Sequence, residues 1–428
     1  MILMKTYRLI LFHFIILLTG CGVFSTKPVT KPPTNQVDPL VRLNADIDKL
    51  LQNPIFTIAS IGIKVVSVES GDVLYAKNVE KLHHPASTTK LFTAATALAK
   101  LGPNYRFITS LYADTTTDTQ TIDNLYLKGK GNPILQTEDL EKLCDSLILT
   151  GVKTIRGDIV VDETFFDTVR EGPGWMWDDR PFQMSALSIR NLLPDKNAEN
   201  RAIACGHFLK TKLTQEGVAV KGNVVSGKVP SDAESVAGHL SPPLSHIVKS
   251  MNKPSDNWIA EMLFKTIGAE VKGEPGTWQK GREAIGEFLD EITDGQNTYR
   301  FVDGSGLSRY NLLNTELLTK LLVYMYNNFE LMPEFTASLP IAGIDGTLRN
   351  RMQGLYAEKV LRAKTGTLSG VSALAGYTRT ADGKVIAFGI LISHYVGSAA
   401  TARGIQDGIG DILTRFSLER YAEQPLAF

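Results

Sequence analysis

Cysteine is scarce in this chain. Among 428 residues only Cys21, Cys144 and Cys205 carry a thiol, too few for a disulfide scaffold. No pair has C-x-x-C spacing, and no His/Cys cluster has metal-ligand spacing, so no metal or other cofactor is expected. Cys144 sits in an apolar stretch, 140–149, and reads as a buried inert thiol; a Cys144–Cys205 bridge stays open for an oxidising compartment. Charge of one sign is also lacking. Lys+Arg and Asp+Glu both number 45, for a formal net charge of zero. A protein that tracks phosphates carries a basic excess, so nucleic acid is not an expected partner. Beyond the N-terminus no apolar run is long enough to cross a bilayer. Hydrophobic residues make up 43% of the chain, enough to bury a sizeable core, which excludes wholesale disorder.

The N-terminus reads as an address. Lys5 and Arg8 precede an apolar run over 9–18, interrupted only by His13. The run suits the h-region of a signal peptide better than a membrane span. It ends in Leu18-Thr19-Gly20-Cys21, which resembles a bacterial lipobox. That resemblance implies a signal peptide over 1–21, lipidation of Cys21 and a body held on the exported side of a membrane, in the cell envelope. The alternative is an ordinary membrane anchor with an incidental cysteine. Residues 22–38, with Pro28, Pro32 and Pro33 among Thr, Ser and Lys, have the composition of a flexible tether.

The body shows two textures. Asp38-Pro39 opens a helix, and 61–68 with 73–75 reads as a hairpin around Ser70-Gly71-Asp72. An Ala-rich helix follows over 87–100, stopped by Gly102-Pro103. Further helices are expected over 244–267, 278–292 and 315–327, then strands over 360–364, 372–379 and 384–393, and a closing helix over 399–416. From 106 to 239 the pattern changes. Short strand-like runs at 125–127, 155–161 and 218–225 alternate with helical segments and glycine turns. The expected class is therefore α+β: a first domain from 39–105 and 240–428, antiparallel sheet packed with helices, and a second domain inserted at 106–239.

Three short motifs carry chemistry. Ser87-Thr88-Thr89-Lys90 stands at a helix start, where a spacing of three puts Ser87 and Lys90 on one face. A serine hydroxyl needs a base, and a lysine is one only when neutral. From a reference pKa near 10.4 that neutrality costs about 4–5 kcal/mol at pH 7, which burial and a second cation reduce. Ser255-Asp256-Asn257 opens another helix. Its hydroxyl can relay a proton between Lys90 and a leaving amine, and its amide can orient Lys90. Lys364-Thr365-Gly366-Thr367 lies on a strand. Lys364 offers the second cation, Gly366 lets a substrate backbone approach as an extra strand, and Thr365 or Thr367 can bind a carboxylate. Each motif alone is compatible with helix capping or an edge strand.

Together, in this order, they match the signature of class A β-lactamases and penicillin-binding proteins. The segments 127–133, 157–159, 173–175, 303–309 and 339–348 narrow the resemblance. They resemble the low-molecular-mass class C penicillin-binding proteins, D-alanyl-D-alanine carboxypeptidase/endopeptidases of the peptidase S13 family, over nearly the whole body. The resemblance implies a penicillin-binding-protein/serine β-lactamase-like transpeptidase domain, with the insertion falling between the first two motifs. It implies Ser87 as nucleophile, Lys90 as base, Ser255, Asn257 and Lys364 as their partners, and an oxyanion hole from the N–H groups of Ser87 and Thr367. It implies substrate contacts for Thr365, Gly366, Thr367, Arg309 and, more remotely, Asp162. Peptidoglycan peptides would be substrates and β-lactams covalent inhibitors. Two departures stand out: 187–209 is short where longer members carry an extra small domain, and Ser369 replaces a larger polar residue of some relatives. A β-lactamase, or a non-catalytic lipid-anchored cell-wall-binding protein, are the alternative functions.

Overall fold

A computed structural model describes residues 38–417 apart from 115–119, 180–181, 191, 193–199, 294 and 296–297. The lipobox cysteine and the tether up to 37 lie outside the described residues. Asp38 caps the first helix, α1 (Pro39–Leu50), by accepting from the Leu40 N–H at 2.8 Å. The hairpin β1 (Ser60–Ser67) and β2 (Val73–Lys77) follows, then α2 (Thr89–Leu101). The middle of the chain forms β3 (Ile108–Ala113), β4 (Thr121–Ile122), β5 (Leu125–Gly129), α3 (Thr137–Leu149), β6 (Thr154–Ile155), β7 (Ile159–Asp162), α4 (Arg201–Gln215), β8 (Ala219–Val220), β9 (Val224–Ser226) and β10 (Glu234–Leu240). The chain continues through α5 (Leu244–Asn252), α6 (Asn257–Lys272), α7 (Trp278–Thr293), α8 (Thr315–Asn327) and α9 (Met332–Ser338). It ends in β11 (Arg362–Leu368), β12 (Val371–Arg379), β13 (Val385–Ser393) and α10 (Ala399–Arg415).

The first sheet has the order β11-β12-β13-β1-β2, antiparallel throughout, and is built from both ends of the chain. β1 lies beside β13 with Ile63 opposite Ile390. Almost all of β13 is buried, because helices cover both faces. Alternation divides its side chains. Phe388, Ile390 and Ile392 face Leu43 and Ile47 of α1 and Ile405 and Ile409 of α10. Ala387 and Leu391 face the helical core of α2, α5, α6, α7 and α8. Gly389 lies on this second face, next to Leu318 of α8.

The second sheet, β10-β3-β5-β7-β9, has its own core with α3 and α4. β5, β7 and β9 run parallel, and β4, β6 and β8 form a small parallel sheet beside them. Cys144 and Cys205 are both buried in this core as free thiols. The disulfide left open by the sequence is absent, and burial pushes both thiols up to about 12, which suits packing rather than reactivity.

Several expected elements differ in outline; the strand foreseen over 218–225 is two, β8 and β9, in different sheets. The helix foreseen over 244–267 is two, because Ser255 takes a left-handed turn (φ 66°) between α5 and α6. The strand foreseen over 155–161 breaks at Gly157, where any side chain would collide with Asn124. The strand foreseen at 360–364 starts later, at Arg362, after a left-handed Lys359 (φ 66°). Among the described residues no helix is long and apolar enough to cross a membrane.

Phe388 is fully buried where α1 and α10 meet the sheet. Phe388→Ala is expected to lower stability by about 3–5 kcal/mol, read as a shifted midpoint in denaturant unfolding; a midpoint within error of wild type would show that this face carries little of the packing.

Candidate active site

The turn before Ser87 is strained and heavily tied. Ala86 has φ 45°, unusual for a residue with a side chain. The hydroxyls of Thr88 and Thr89 donate back to the carbonyls of Pro85 and Ala86 at 2.7 and 2.9 Å. Gly306 presses on the same turn: a Cβ on it would lie 1.9 Å from the Ala86 carbonyl oxygen. Ser87 therefore sits on a short 3-10 turn over Ala86–Thr88, and α2 begins at Thr89 rather than at Ser87.

Lys90, in the first turn of α2, is fully buried. Its ammonium nitrogen reaches Ser87 Oγ at 2.9 Å, Asn257 Oδ1 at 2.7 Å and the Ser305 carbonyl at 2.7 Å. Burial lowers its pKa to about 8, against the carboxylates of Asp303, Glu261 and Asp256, which favour the charged form. The cost of neutrality at pH 7 falls to about 1–2 kcal/mol.

Lys364 is equally buried and donates to Ser255 Oγ at 2.8 Å and to the Thr365 carbonyl at 2.9 Å. Burial first, and the charge on Lys90 second, hold it well below the usual lysine range. At Lys90 burial is the leading cause of the lowering, and the repulsion between the two lysines opposes a proton on either. The three motifs thus meet through two lysines, Ser87-Lys90-Asn257 on one side and Lys364-Ser255 on the other.

β11 is the outer strand of its sheet. The Ala363 N–H leaves the outer edge to bond Pro340 at 3.0 Å. Strand alternation puts the N–H groups of Thr365 and Thr367 on that same edge, and Thr367 is exposed. Thr365 Oγ1 donates to Thr347 Oγ1 at 2.7 Å. Gly366 does different work from that expected of it. A Cβ there would lie 2.7 Å from the Pro85 carbonyl and 3.1 Å from Ala86 Cβ. The missing side chain lets β11 close on the nucleophile's turn.

Several residues that sequence reasoning passed over hold this arrangement. Glu261, one helical turn beyond Asn257, is fully buried and accepts from Ser305 N at 2.8 Å, Gly304 N at 3.2 Å and Trp278 Nε1 at 2.8 Å. Burial, and then the charge of Asp303, push its pKa up to about 7. Asp303 accepts from Gly306 N, Ser308 N, Asn311 Nδ2 and Trp175 Nε1 at 2.6–2.9 Å. Together they fix the loop whose Ser305 carbonyl touches Lys90. The spacing of Glu261 from Asn257, four residues on a helix, was the available signal.

Two weaker candidates fare differently. Arg309 lies on this same loop but pairs with Asp179 at 3.3 Å, and its N–H bonds the Gly174 carbonyl at 3.2 Å. Asp162 is corrected: it is fully buried at the end of β7. Its oxygens accept from Thr164 N, Thr164 Oγ1 and Val229 N at 2.7–2.9 Å, with Lys128 at 3.8 Å. It braces a turn of the second sheet and offers nothing to a substrate. Among the described residues no His/Cys/Asp/Glu group could hold a metal.

The model of the D-Ala-D-Ala carboxypeptidase 3 (S13) family matches residues 43–197 and 192–416. The chain belongs to this family. It is 34% identical to the D-alanyl-D-alanine carboxypeptidase of Actinomadura sp. (strain R39), over 88% of this chain and 85% of that protein. It is 26% identical to the D-alanyl-D-alanine carboxypeptidase DacB of Haemophilus influenzae, over 79% of this chain and 86% of that one. The crystal structure of penicillin binding protein 4 (dacB) from Haemophilus influenzae superposes with a TM-score of 0.75 at 25% identity, covering 85% of this chain and 97% of that one. The α+β architecture with an inserted domain is therefore the S13 architecture.

Within this S13 site, a base with a pKa of about 8 predicts the pH dependence of acylation. Lys90 must be neutral to accept the Ser87 proton, and it is neutral above its pKa. The rate of covalent labelling by a fluorescent penicillin should rise with pH through about 8 and fall roughly tenfold per unit below it. A rate flat across that range would remove Lys90 from the role of base.

Proposed function

We propose that Ser87 is the nucleophile of this S13 carboxypeptidase and that Lys90 is its general base. The chain is a serine-type D-Ala-D-Ala carboxypeptidase/endopeptidase of the peptidoglycan-acting, penicillin-binding kind by family. The observation that supports the assignment of roles is the buried Lys90 amine, shared between Ser87 Oγ, Asn257 Oδ1 and the Ser305 carbonyl.

The proposed reaction runs as follows. The Lys90 amine takes the Ser87 proton as Oγ attacks the carbonyl carbon of a D-Ala-D-X bond. The tetrahedral oxyanion is held by the N–H groups of Ser87 and Thr367. Asn257 holds Lys90 through its Oδ1, leaving its amide N–H to the substrate. The proton reaches the leaving amine through Ser255, whose hydroxyl Lys364 orients at 2.8 Å. Thr365 and Thr367, on the outer edge of β11, receive the terminal carboxylate. Water then hydrolyses the acyl-enzyme on Ser87 with Lys90 again as base. A β-lactam amide presents the same carbonyl and would stop at the acyl stage. Among the described residues no carboxylate bonds Ser87 directly, so the β-lactamase reading draws no support from a contact at the nucleophile.

Lipidation of Cys21 and an envelope location belong to the same proposal. The h-region, Thr19-Gly20-Cys21 and the proline-rich tether support it, and a cell-wall substrate gives such an anchor a purpose.

Incubation of purified protein with muropeptides should release D-alanine or cleaved crosslinks, and Ser87→Ala should abolish both that release and penicillin labelling, by at least about a thousandfold. Retained turnover in Ser87→Ala would end the acyl-enzyme mechanism. In cells, the wild-type chain should partition with membranes and Cys21→Ser should lose its lipid, seen as a mass difference in the mature N-terminal peptide; identical masses would reject the anchor.

A further inference from the structure

Asp256 is the middle residue of the second motif and has no direct bond to either lysine in the site. It caps α6 by accepting from Ile259 N at 3.0 Å. Both its oxygens also receive Arg190, from Nη1 and Nη2, at 2.7 Å each. This is the two-pronged geometry that makes an arginine–carboxylate pair directional. The guanidinium of Arg190 lies 5.7 Å from the centre of the Trp258 ring, and Arg201 lies 5.4 Å from the same ring. Trp258 is itself fixed by its Nε1 bond to the Pro133 carbonyl at 3.0 Å. Arg190 belongs to the segment between the second sheet and α4, far in sequence from all three motifs.

The residues flanking Asp256 are the ones that touch the lysines. Asn257 accepts from Lys90 at 2.7 Å, and Ser255 accepts from Lys364 at 2.8 Å. Ser255 does so from a left-handed backbone (φ 66°) that its surroundings must hold in place. We propose that Arg190 is a positioning residue of the acyl-transfer site: it clamps Asp256 so that Ser255 and Asn257 stay within reach of the two lysines, and it screens the Asp256 carboxylate from Lys90.

The screening gives the clamp a signature that plain stabilisation lacks. The charged groups facing Lys90 are Asp256 and Glu261 from α6, Asp303 from the loop before α8 and Lys364 from β11. Asp256 favours the Lys90 ammonium, and Arg190 offsets Asp256. Loss of Arg190 leaves the carboxylate unscreened, so Lys90 holds its proton to higher pH. Removal of the Asp256 charge does the opposite, and the two charges act on Lys90 additively.

The test rests on Lys90 as base and is read on the acid limb of penicillin labelling. Arg190→Ala should move that limb to higher pH by about 0.3–0.5 unit, a two- to threefold slower reaction at neutral pH. Arg190→Lys should keep most of the wild-type profile. Asp256→Asn, which retains a capping oxygen, should move the limb to lower pH. The double variant loses both charges, so its limb should return toward wild type. An Arg190→Ala limb that overlays wild type, or an Arg190→Lys limb that moves as far as the Arg190→Ala limb, overturns the clamp. If Arg190→Ala fails to fold, the Asp256→Asn profile decides, and an unmoved limb there counts against it. Absence of any adduct in wild type would instead sink the Ser87 reading itself.

Discussion

One buried amine organises this molecule. The Lys90 nitrogen makes three contacts, to α2's own turn, to the start of α6 and to the loop at 305, and it makes them in full burial. An amine without partners there would be costly to bury. One with three oxygens around it is held in place while losing part of its preference for the proton. Because those oxygens come from widely separated parts of the chain, the catalytic geometry forms only when the whole helical layer has packed. The core of α2, α5, α6, α7 and α8 around the sheet is thus also the scaffold of the site.

The supporting carboxylates face a conflict that the fold resolves by hydrogen bonding. Glu261 and Asp303 anchor the loop that presents Ser305, and as anions they also favour the charged form of Lys90. Each accepts from backbone and indole N–H groups, which draws its charge toward the loop. The lowered pKa of Lys90 survives because desolvation outweighs these charges. Trp175 and Trp278, each donating to one of the pair, seal this layer.

The three motifs were legible because each couples a rare residue order to a local structure, a helix start, a helix cap and a strand. The long helices over 278–292 and 315–327 were legible from period alone, and α8 runs over Thr315–Asn327. What stayed hidden depends on tertiary contact. Nothing local marks Ser255 as left-handed or predicts that Gly366 is small to admit the Pro85 carbonyl rather than a substrate. Asp162 was a candidate through the family resemblance alone, and a turn from Thr164 and Val229 consumes it. Glu261 shows in the sequence only as a helical spacing from Asn257, and Arg190 acts through a partner remote in sequence to which no motif points.

The two lysines leave one more constraint. Both are buried, and each opposes a proton on the other, so their titrations are linked. Three carboxylates favour the proton on Lys90, whereas burial and the Lys90 charge are the causes acting on Lys364. Burial and mutual repulsion thus both weaken the hold of this lysine pair on its protons. Lys364 donates to Ser255 and to the Thr365 carbonyl. Lys364 thereby links the Ser255 relay to β11, while burial, the leading cause at Lys90, raises the share of that amine that is neutral and able to accept the Ser87 proton.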